Sequence, residues 1–335
     1  MQVGYMLLIN SFSHFFVDAA CAAALFGSGC TDMTTLLLLY NTLAFSTQCL
    51  VGLVTDRVNC HAKLTAIACL AVALGYILPL PPIATGMVVG LGNSVFHVCG
   101  GTTTLKDSGG RAAPLGIFVA PGSVGLILGT LWPQVGLLFA LSLIICAGAI
   151  FIVGRGKAAA VPPETEENGG ILPVVVLLLA VAVRAIGGTA VSFPWKTTEV
   201  LSVVMVAAVF AGKTAGGFMC DRLGARNTAL MSIPLAALLI AFGTGSMVLS
   251  LLGQLLINLT MPVTLWLIYR ELPASPGFAF GLAASVLWPG TIAGQLLTLT
   301  GPALWACILL SFALALCAIL FAVKKGGKHD AAVIS

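Results

Sequence analysis

The feature that most constrains this chain is a succession of long apolar segments, each about as long as a lipid bilayer is thick. A membrane-spanning helix needs roughly 20 mainly apolar residues. Charges and Gly/Pro clusters divide the sequence into twelve such segments, with the weakest division at Trp132-Pro133. Their predicted limits are residues 4–27, 32–55, 62–80, 83–105, 112–131, 133–154, 171–193, 198–219, 227–245, 247–269, 276–298 and 302–323.

Charged residues make up only 8% of the chain. A soluble protein of this size usually carries about 25% charged residues, so most of this surface is expected to face lipid. We therefore predict an all-α membrane protein with twelve transmembrane helices embedded in a lipid bilayer. No basic patch is interleaved with aromatic residues, and no nucleic-acid partner is expected.

One long polar segment separates the first six predicted helices from the last six. Residues 155–170 contain a Pro-Pro pair, three glutamates and a Gly-Gly pair, which is not a composition that crosses a membrane. We predict an N-terminal six-helix bundle over residues 1–154, a cytoplasmic linker over 155–170, a C-terminal six-helix bundle over 171–323 and a cytoplasmic tail over 324–335.

The lysines and arginines predict the orientation. With the N-terminus in the cytoplasm, twelve of them fall in cytoplasmic segments and only Lys196 falls outside. Excess Lys and Arg in cytoplasmic loops is the general rule. We expect a monomeric, multi-pass protein of the plasma (inner) membrane with both termini in the cytoplasm.

An internal repeat relates the two predicted halves. A shift of 165 residues, without gaps, aligns an Asp-Arg pair, an asparagine and four glycines. Parallel repeats of this kind in transporters place the solute pathway between the halves, near the middle of the membrane. The aligned pairs are Gly52 with Gly217, Asp56 with Asp221, Arg57 with Arg222, Asn93 with Asn258, Gly116 with Gly281, Gly125 with Gly290, and Gly129 with Gly294.

Two short segments carry a resemblance to a known superfamily. Gly52-Leu-Val-Thr-Asp-Arg-Val and Gly217-Phe-Met-Cys-Asp-Arg-Leu-Gly-Ala-Arg resemble the loop motif of the major facilitator superfamily, between the second and third helices of each half. The first copy departs from the motif, with Asn59 at a usual glycine and Lys63 as its only remaining basic residue. The resemblance implies the major facilitator fold and a cytoplasmic gate formed by Asp56, Arg57, Asp221 and Arg222.

A narrower resemblance lies in the first half. His14, Asp18, Gln48 and the segment Gly90-Leu-Gly-Asn-Ser-Val-Phe-His97 are similar to the fosmidomycin-resistance branch of that superfamily. The chain departs from this branch directly after His97, at Val98-Cys99. The resemblance implies drug export in exchange for protons.

Three polar residues recur at a spacing of four in the first predicted helix. Asn10, His14 and Asp18 therefore lie on one helix face. A carboxylate in a membrane costs about 2.5 kcal/mol or more unless it has a partner or faces a cavity, and a nearby histidine can exchange protons with it. We predict that Asp18 and His14 couple transport to protons. The alternative is a structural hydrogen bond between helices.

Arg184 lies near the middle of the seventh predicted helix. Its guanidinium keeps its charge and therefore needs a carboxylate, an anionic solute or water. Asp18 is the expected partner, and an anionic solute or a proton could separate the two. The predicted solute-binding residues are Arg184, His97, Asn93, Asn258, Asn10 and Gln48.

A transition-metal site is a further alternative. His97, Cys99, His14 and Cys21 are suitable ligand types, but residues two apart on a helix face different directions. The prediction therefore includes no metal ligand and no cofactor.

The segment from Gly116 to Gly129 predicts a helix with a face of small residues around Pro121. Small residues spaced by four allow helices to pack closely. The segment loosely resembles the glycine-proline motif of superfamily antiporters and slightly favours export.

Together these features predict a secondary active transporter and not an enzyme. It would move a small organic solute, anionic or zwitterionic, by alternating access and with proton coupling. Three alternatives stay open: a transporter of a transition-metal ion or metal complex, a membrane receptor on a transporter fold, and an intramembrane enzyme using His14, Asp18 and His97.

Overall fold

The computed structural model describes residues 2–58, 60–154 and 169–333. The predicted linker lies outside these residues except for Gly169 and Gly170. Within the described ranges the chain forms thirteen α-helices, with a π-helical turn at Thr42–Ser46 and a 3-10 turn at Pro133–Val135. The helices are α1 Gln2–Phe26, α2 Met33–Asn41, α3 Gln48–Val58, α4 His61–Ile77, α5 Pro82–Asp107, α6 Ala113–Leu131, α7 Gly136–Gly154, α8 Ile171–Thr189, α9 Glu199–Phe242, α10 Met247–Asn258, α11 Thr260–Glu271, α12 Pro276–Leu296 and α13 Gly301–Val333.

These helices agree with twelve membrane spans. Ten segments of the described chain are long and apolar enough to cross a bilayer. One of them, α9, has 44 residues and breaks at Gly224, so it accounts for two spans. With α4, a shorter apolar helix of 17 residues, the described chain has twelve apolar helical segments. The all-α fold predicted from the sequence is confirmed.

The structure corrects the predicted loop between the eighth and ninth segments. Residues 220–226, which the prediction leaves between two spans, are helical on both sides of Gly224, where α9 changes direction. Gly224 has φ 80° and ψ 157°, a conformation that glycine adopts without the steric cost of a Cβ atom.

The described chain divides into two compact units. Unit 1 contains Met1–Gly109, Ile117–Glu166 and Ser275–Ser285. Unit 2 contains Gly110–Gly116, Glu167–Ala274 and Val286–Ser335. The first turn of α6 thus belongs to unit 2, and the first half of α12 belongs to unit 1.

Helix α1 has the inverted pattern expected of a membrane helix. Its apolar side chains Leu8 and Phe12 are 51% and 63% exposed. Its polar side chains Asn10, Ser13 and His14 are at most 4% exposed. Because lipid is the solvent, the polar face of α1 is turned into the protein.

Glycines aligned by the 165-residue shift make equivalent close contacts. A Cβ atom on Gly52 would overlap the backbone of Gly277, and one on Gly217 would overlap the backbone of Ala112. Ala112 and Gly277 are themselves 165 residues apart. The same holds for Gly116 against Lys213 and Gly281 against Gln48. These contacts confirm the internal repeat in three dimensions.

The predicted close packing of the small-residue face is also confirmed. Cβ atoms on Gly125 and Gly129 of α6 would overlap the backbone oxygens of Phe15 and Ala19 in α1. The absence of side chains at these positions lets α6 approach the helix that carries His14 and Asp18.

Candidate functional site

A cluster of three ionisable side chains lies inside unit 1, between helices α1, α5 and α6. Nε2 of His14 lies 3.3 Å from Oδ2 of Asp18. Nε2 of His97 lies 3.8 Å from Oδ1 of the same carboxylate. The side chains of His14, Asp18 and His97 are 5%, 16% and 12% exposed, respectively. The predicted proximity of His14 and Asp18 is thus observed, and His97 joins them from α5.

Both imidazole rings are oriented by backbone carbonyl groups. Nδ1 of His14 is 2.7 Å from the carbonyl oxygen of Phe118, and Nδ1 of His97 is 2.9 Å from the carbonyl oxygen of Asn93. A carbonyl oxygen only accepts hydrogen bonds, so each Nδ1 carries the hydrogen and donates it. The neutral rings therefore turn the lone pair of Nε2 toward Asp18.

Asn93 fixes the third group of the cluster. Its Nδ2 donates a hydrogen bond of 2.9 Å to Oδ1 of Asp18 and approaches Sγ of Cys21 at 3.8 Å. Oδ1 of Asn93 is buried without a hydrogen-bond partner among the described residues. Asn93 thus holds the Asp18 carboxylate in place between the two rings.

The wall around the cluster is aromatic on one side and open at a glycine on another. Phe96 and Phe118 are fully buried, and their ring centroids lie 5.9 and 4.9 Å from that of His14. A Cβ atom on Gly122 of α6 would overlap both Nε2 of His14 and Oδ2 of Asp18. The missing side chain at Gly122 leaves space directly beside these two atoms.

The three side chains of the cluster repel one another unless a positive charge is added. The lone pairs of the two neutral imidazoles face an ionised carboxylate, and side chains that are only 5–16% exposed leave little room for water to screen the repulsion. A proton on Nε2 converts each repulsion into a charge-assisted hydrogen bond, and a bound cation would have the same effect. Chemically, the cluster can therefore take up and release positive charge.

Arg184 lies in unit 2, on α8. Its Nη1 donates a hydrogen bond of 2.7 Å to Oγ1 of Thr260, which in turn donates to the carbonyl of Ile257. The predicted pairing of Arg184 with Asp18 stays a prediction, because the two residues belong to different units. Asn258, also in unit 2, donates to the carbonyl of Gln254 on its own helix.

Two further predicted residues lie in unit 1 outside the cluster. Asn10 is buried two turns before Asp18 on α1. Gln48 is buried at the start of α3 and donates from Nε2 to the carbonyl of Ala44. Oδ1 of Asn10 and Oε1 of Gln48 accept no hydrogen bond from the described residues. Their role in solute binding stays a prediction.

The predicted gate aspartates each hold the start of a helix. Both oxygens of Asp56 accept hydrogen bonds of 2.8 Å from the backbone N–H groups of Gly277 and Phe278, at the start of α12. Asp221 accepts from the N–H groups of Ala112 and Ala113, at the start of α6, at 2.6 and 3.1 Å. Each carboxylate satisfies N–H groups that have no partner within their helix. It also faces the positive end of the helix dipole.

The gate arginines are more exposed than Asp56. Arg57 and Arg222 are exposed, whereas Asp56 is mostly buried and also lies 3.8 Å from Nε2 of His61. Sequence reasoning missed His61 because its partner lies across a turn. It also missed Gly122 and Phe118 as parts of the cluster. The position of Gly122 next to Pro121, in a run of small residues, could have indicated that a helix packs closely there.

Comparison with known proteins identifies the fold. No protein-family model matches the chain, and no curated protein matches it significantly. It is similar to the crystal structure of FucP, a major facilitator superfamily transporter, in the outward conformation: 12% identity, TM-score 0.69, and 96% of this chain aligned with 99% of that one.

Two further solved structures are similar over nearly their whole length. One is a single-substitution variant of the fucose:proton symporter FucP of E. coli, with 13% identity, a TM-score of 0.64, and 96% of this chain aligned with 98% of that one. The other is a bacterial homologue of the iron transporter ferroportin in an outward-facing state, with 14% identity, a TM-score of 0.62, and 99% of this chain aligned with 100% of that one. The chain therefore has the major facilitator fold.

Proposed function

We propose that this chain is a secondary active transporter that moves a small solute by alternating access and couples its movement to protons at the His14–Asp18–His97 cluster. The observation that carries the proposal is the carboxylate of Asp18, in contact with two imidazoles whose Nε2 lone pairs face it. A proton bound here neutralises the repulsion, and its release restores it. Such a switch in charge is what a proton-coupled carrier requires.

The fold and the paired helix caps support transport over a receptor or an enzyme. The similar structures include a protein described as a fucose:proton symporter. Asp56 and Asp221 cap α12 and α6 at positions related by the internal repeat. Matched contacts of this kind suit a protein that alternates between two states. A catalytic centre would not need them in duplicate.

The solute class is proposed from Arg184. Its fixed positive charge lies in a membrane-spanning helix and is hydrogen-bonded to the neutral hydroxyl of Thr260. An anionic group on a solute would be attracted to it. We therefore propose a small organic anion or zwitterion, with export favoured by the resemblance to the fosmidomycin-resistance branch and to the antiporter motif of α6.

The proposed setting is the plasma (inner) membrane, with both termini in the cytoplasm. It is supported by the twelve-to-one distribution of Lys and Arg described above. Fusing a reporter enzyme that is active only in the cytoplasm to Ser335 should give an active reporter. An inactive reporter would reverse the proposed orientation.

A ligand screen by thermal unfolding tests the solute proposal. The purified chain in detergent would be heated with a panel of small carboxylates, phosphonates and amino acids. A compound that binds the protein raises its unfolding temperature. We expect Arg184→Ala to show no such rise with the same compound. As a specificity control, the compound should not raise the unfolding temperature of an unrelated membrane protein. A hit that stabilises Arg184→Ala as well as the wild type would remove Arg184 from the solute site.

A further inference from the structure

The same three side chains form a set of metal ligands, and we infer that the His14–Asp18–His97 cluster binds a divalent first-row transition-metal ion. This is a binding site additional to the proposed organic solute, and its three ligands all belong to unit 1. Only the final step, from a metal site to a metal cargo, rests on the proposed transport function.

The donor atoms already converge. One ligand atom from each of His14, Asp18 and His97 can be chosen so that all three lie within 4.8 Å of one another. Donors about 2.1 Å from a common ion are roughly 3.4 Å apart in a tetrahedral arrangement. His14 Nε2 and Asp18 Oδ2 are at 3.3 Å, so side-chain movements of at most roughly 1.4 Å bring the third donor to the same ion.

The rings are held as metal-binding histidines are held. A metal-binding histidine usually donates its other ring N–H to a carbonyl or carboxylate, which fixes the tautomer and turns the free nitrogen toward the metal. His14 and His97 each donate from Nδ1 to a backbone carbonyl, of Phe118 and Asn93. Asn93 also orients the Asp18 carboxylate through Nδ2. All three ligands therefore have a supporting contact.

The donor types select the class of ion. Two imidazole nitrogens and one carboxylate suit Fe²⁺, Co²⁺, Ni²⁺ and Zn²⁺. Ca²⁺ and Mg²⁺ prefer shells composed of oxygen. Three protein donors also leave coordination positions open for water. An ion held in this way can be released again.

There is space for the ion beside the donors. The volume that a Cβ atom on Gly122 would occupy lies against His14 Nε2 and Asp18 Oδ2. A residue with any side chain at this position would fill it. Gly122 thus offers a test of the site that removes no ligand.

Metal and proton would compete for the same lone pairs. A bound ion occupies Nε2 of both rings and an oxygen of Asp18, which are the atoms that a proton would use. If the cluster is the coupling site, exchange of the ion for protons makes the ion a cargo.

Titration with Co²⁺ tests the metal site directly. The purified chain, without a polyhistidine tag, would be titrated in detergent at neutral pH while visible d–d absorption and bound cobalt are measured. We expect one Co²⁺ per chain with an absorption typical of nitrogen and oxygen ligands. Asp18→Asn and His97→Ala should each weaken binding more than about 100-fold, because changes in supporting residues alone cost about 10- to 100-fold.

Matched variants guard against loss of folding. Gly122→Ala should abolish binding although every ligand is present, whereas its neighbour Ser123→Ala should retain it. His61→Ala removes a histidine of unit 1 outside the cluster and should also retain it. Each variant must keep the size-exclusion profile of the wild type. Absence of bound Co²⁺ in the wild type, or equal binding by Asp18→Asn, would overturn the inference.

The two proposals fail in different ways. If Co²⁺ does not bind but proton-driven transport depends on Asp18, the metal site is wrong and the proposed function stands. If Co²⁺ binds through these ligands but proteoliposomes move neither solute nor ion, the metal site stands and the proposed function is wrong.

Discussion

At the scale of single residues, the position of Asp18 follows from the cost of charge in a membrane. A carboxylate among apolar residues is retained only where other groups stabilise it. Asp18 has two imidazoles and an amide in contact. The carboxylate is thus stabilised by groups whose own charge can change, which distinguishes the cluster from a permanent Asp–Arg pair.

Asn93→Ala should destabilise the protein measurably. The variant removes the hydrogen bond from Nδ2 to the Asp18 carboxylate, and a hydrogen bond to a charged group contributes about 1.5–3 kcal/mol. Reversible unfolding in mixed detergent would measure the change. The matched control is Asn258→Ala at the repeat-equivalent position, where Nδ2 donates, within the described part of the chain, only to a carbonyl of its own helix. An equal loss in both variants would contradict the account.

The sequence allowed only part of the cluster to be predicted. His14 and Asp18 are four residues apart, and this spacing alone places them on one helix face. His97 is 79 residues further along, and its approach depends on how α5 packs against α1. The periodicity of the sequence does not show which residues of α5 lie beside which residues of α1. The metal-ion alternative weighed from the sequence placed Cys99 and Cys21 beside the two histidines instead of Asp18, because spacing along a helix does not show that His97 approaches Asp18.

At the scale of elements, the Asp-Arg motifs act through helix ends. Each aspartate accepts two N–H groups at the start of a helix that is distant in sequence. The motif residues were predicted from resemblance, but their partners Gly277 and Ala112 were not. A capping contact between distant segments leaves no local pattern in the sequence.

Asp56→Ala and Asp221→Ala should have similar effects. Loss of a capping carboxylate costs about 1 kcal/mol, and the repeat makes the two contacts equivalent. Unfolding in detergent would give both values. Arg57→Ala should stay within about 0.5 kcal/mol of the wild type because its side chain is exposed. A larger cost for Arg57→Ala than for Asp56→Ala would show that the arginine holds the gate.

The glycine face of α6 gives a second prediction at this scale. Gly129→Ala places a Cβ atom on the backbone oxygen of Ala19, and such overpacking costs about 1–3 kcal/mol. Gly148→Ala in α7 is the control, because its added Cβ meets no atom within 4 Å and should be neutral or stabilising by up to about 1 kcal/mol. We expect the unfolding temperature of Gly129→Ala to lie below that of the wild type and that of Gly148→Ala to lie at or above it. A Gly129→Ala protein as stable as the wild type would contradict the account.

At the scale of the whole molecule, the two halves share a fold but not their chemistry. The 165-residue repeat predicted which glycines and aspartates make equivalent contacts. It gives no information about the solute, because the functional residues break the repeat. His14 and Asp18 correspond to Leu179 and Val183, and Arg184 corresponds to Ala19. The fold could therefore be predicted from what the halves have in common, whereas the cargo depends on where they differ.

The central claim is that solute movement and proton movement are linked through Asp18. Proteoliposomes containing the purified chain and the entrapped pH dye pyranine would receive the stabilising hits of the ligand screen and, separately, Co²⁺ and Zn²⁺. The account predicts a solute-dependent change in internal pH with the wild type and none with Asp18→Asn, while Gly148→Ala, whose added Cβ meets no atom within 4 Å, retains it. Solute accumulation that proceeds equally with and without a pH gradient, and equally in Asp18→Asn, would contradict it.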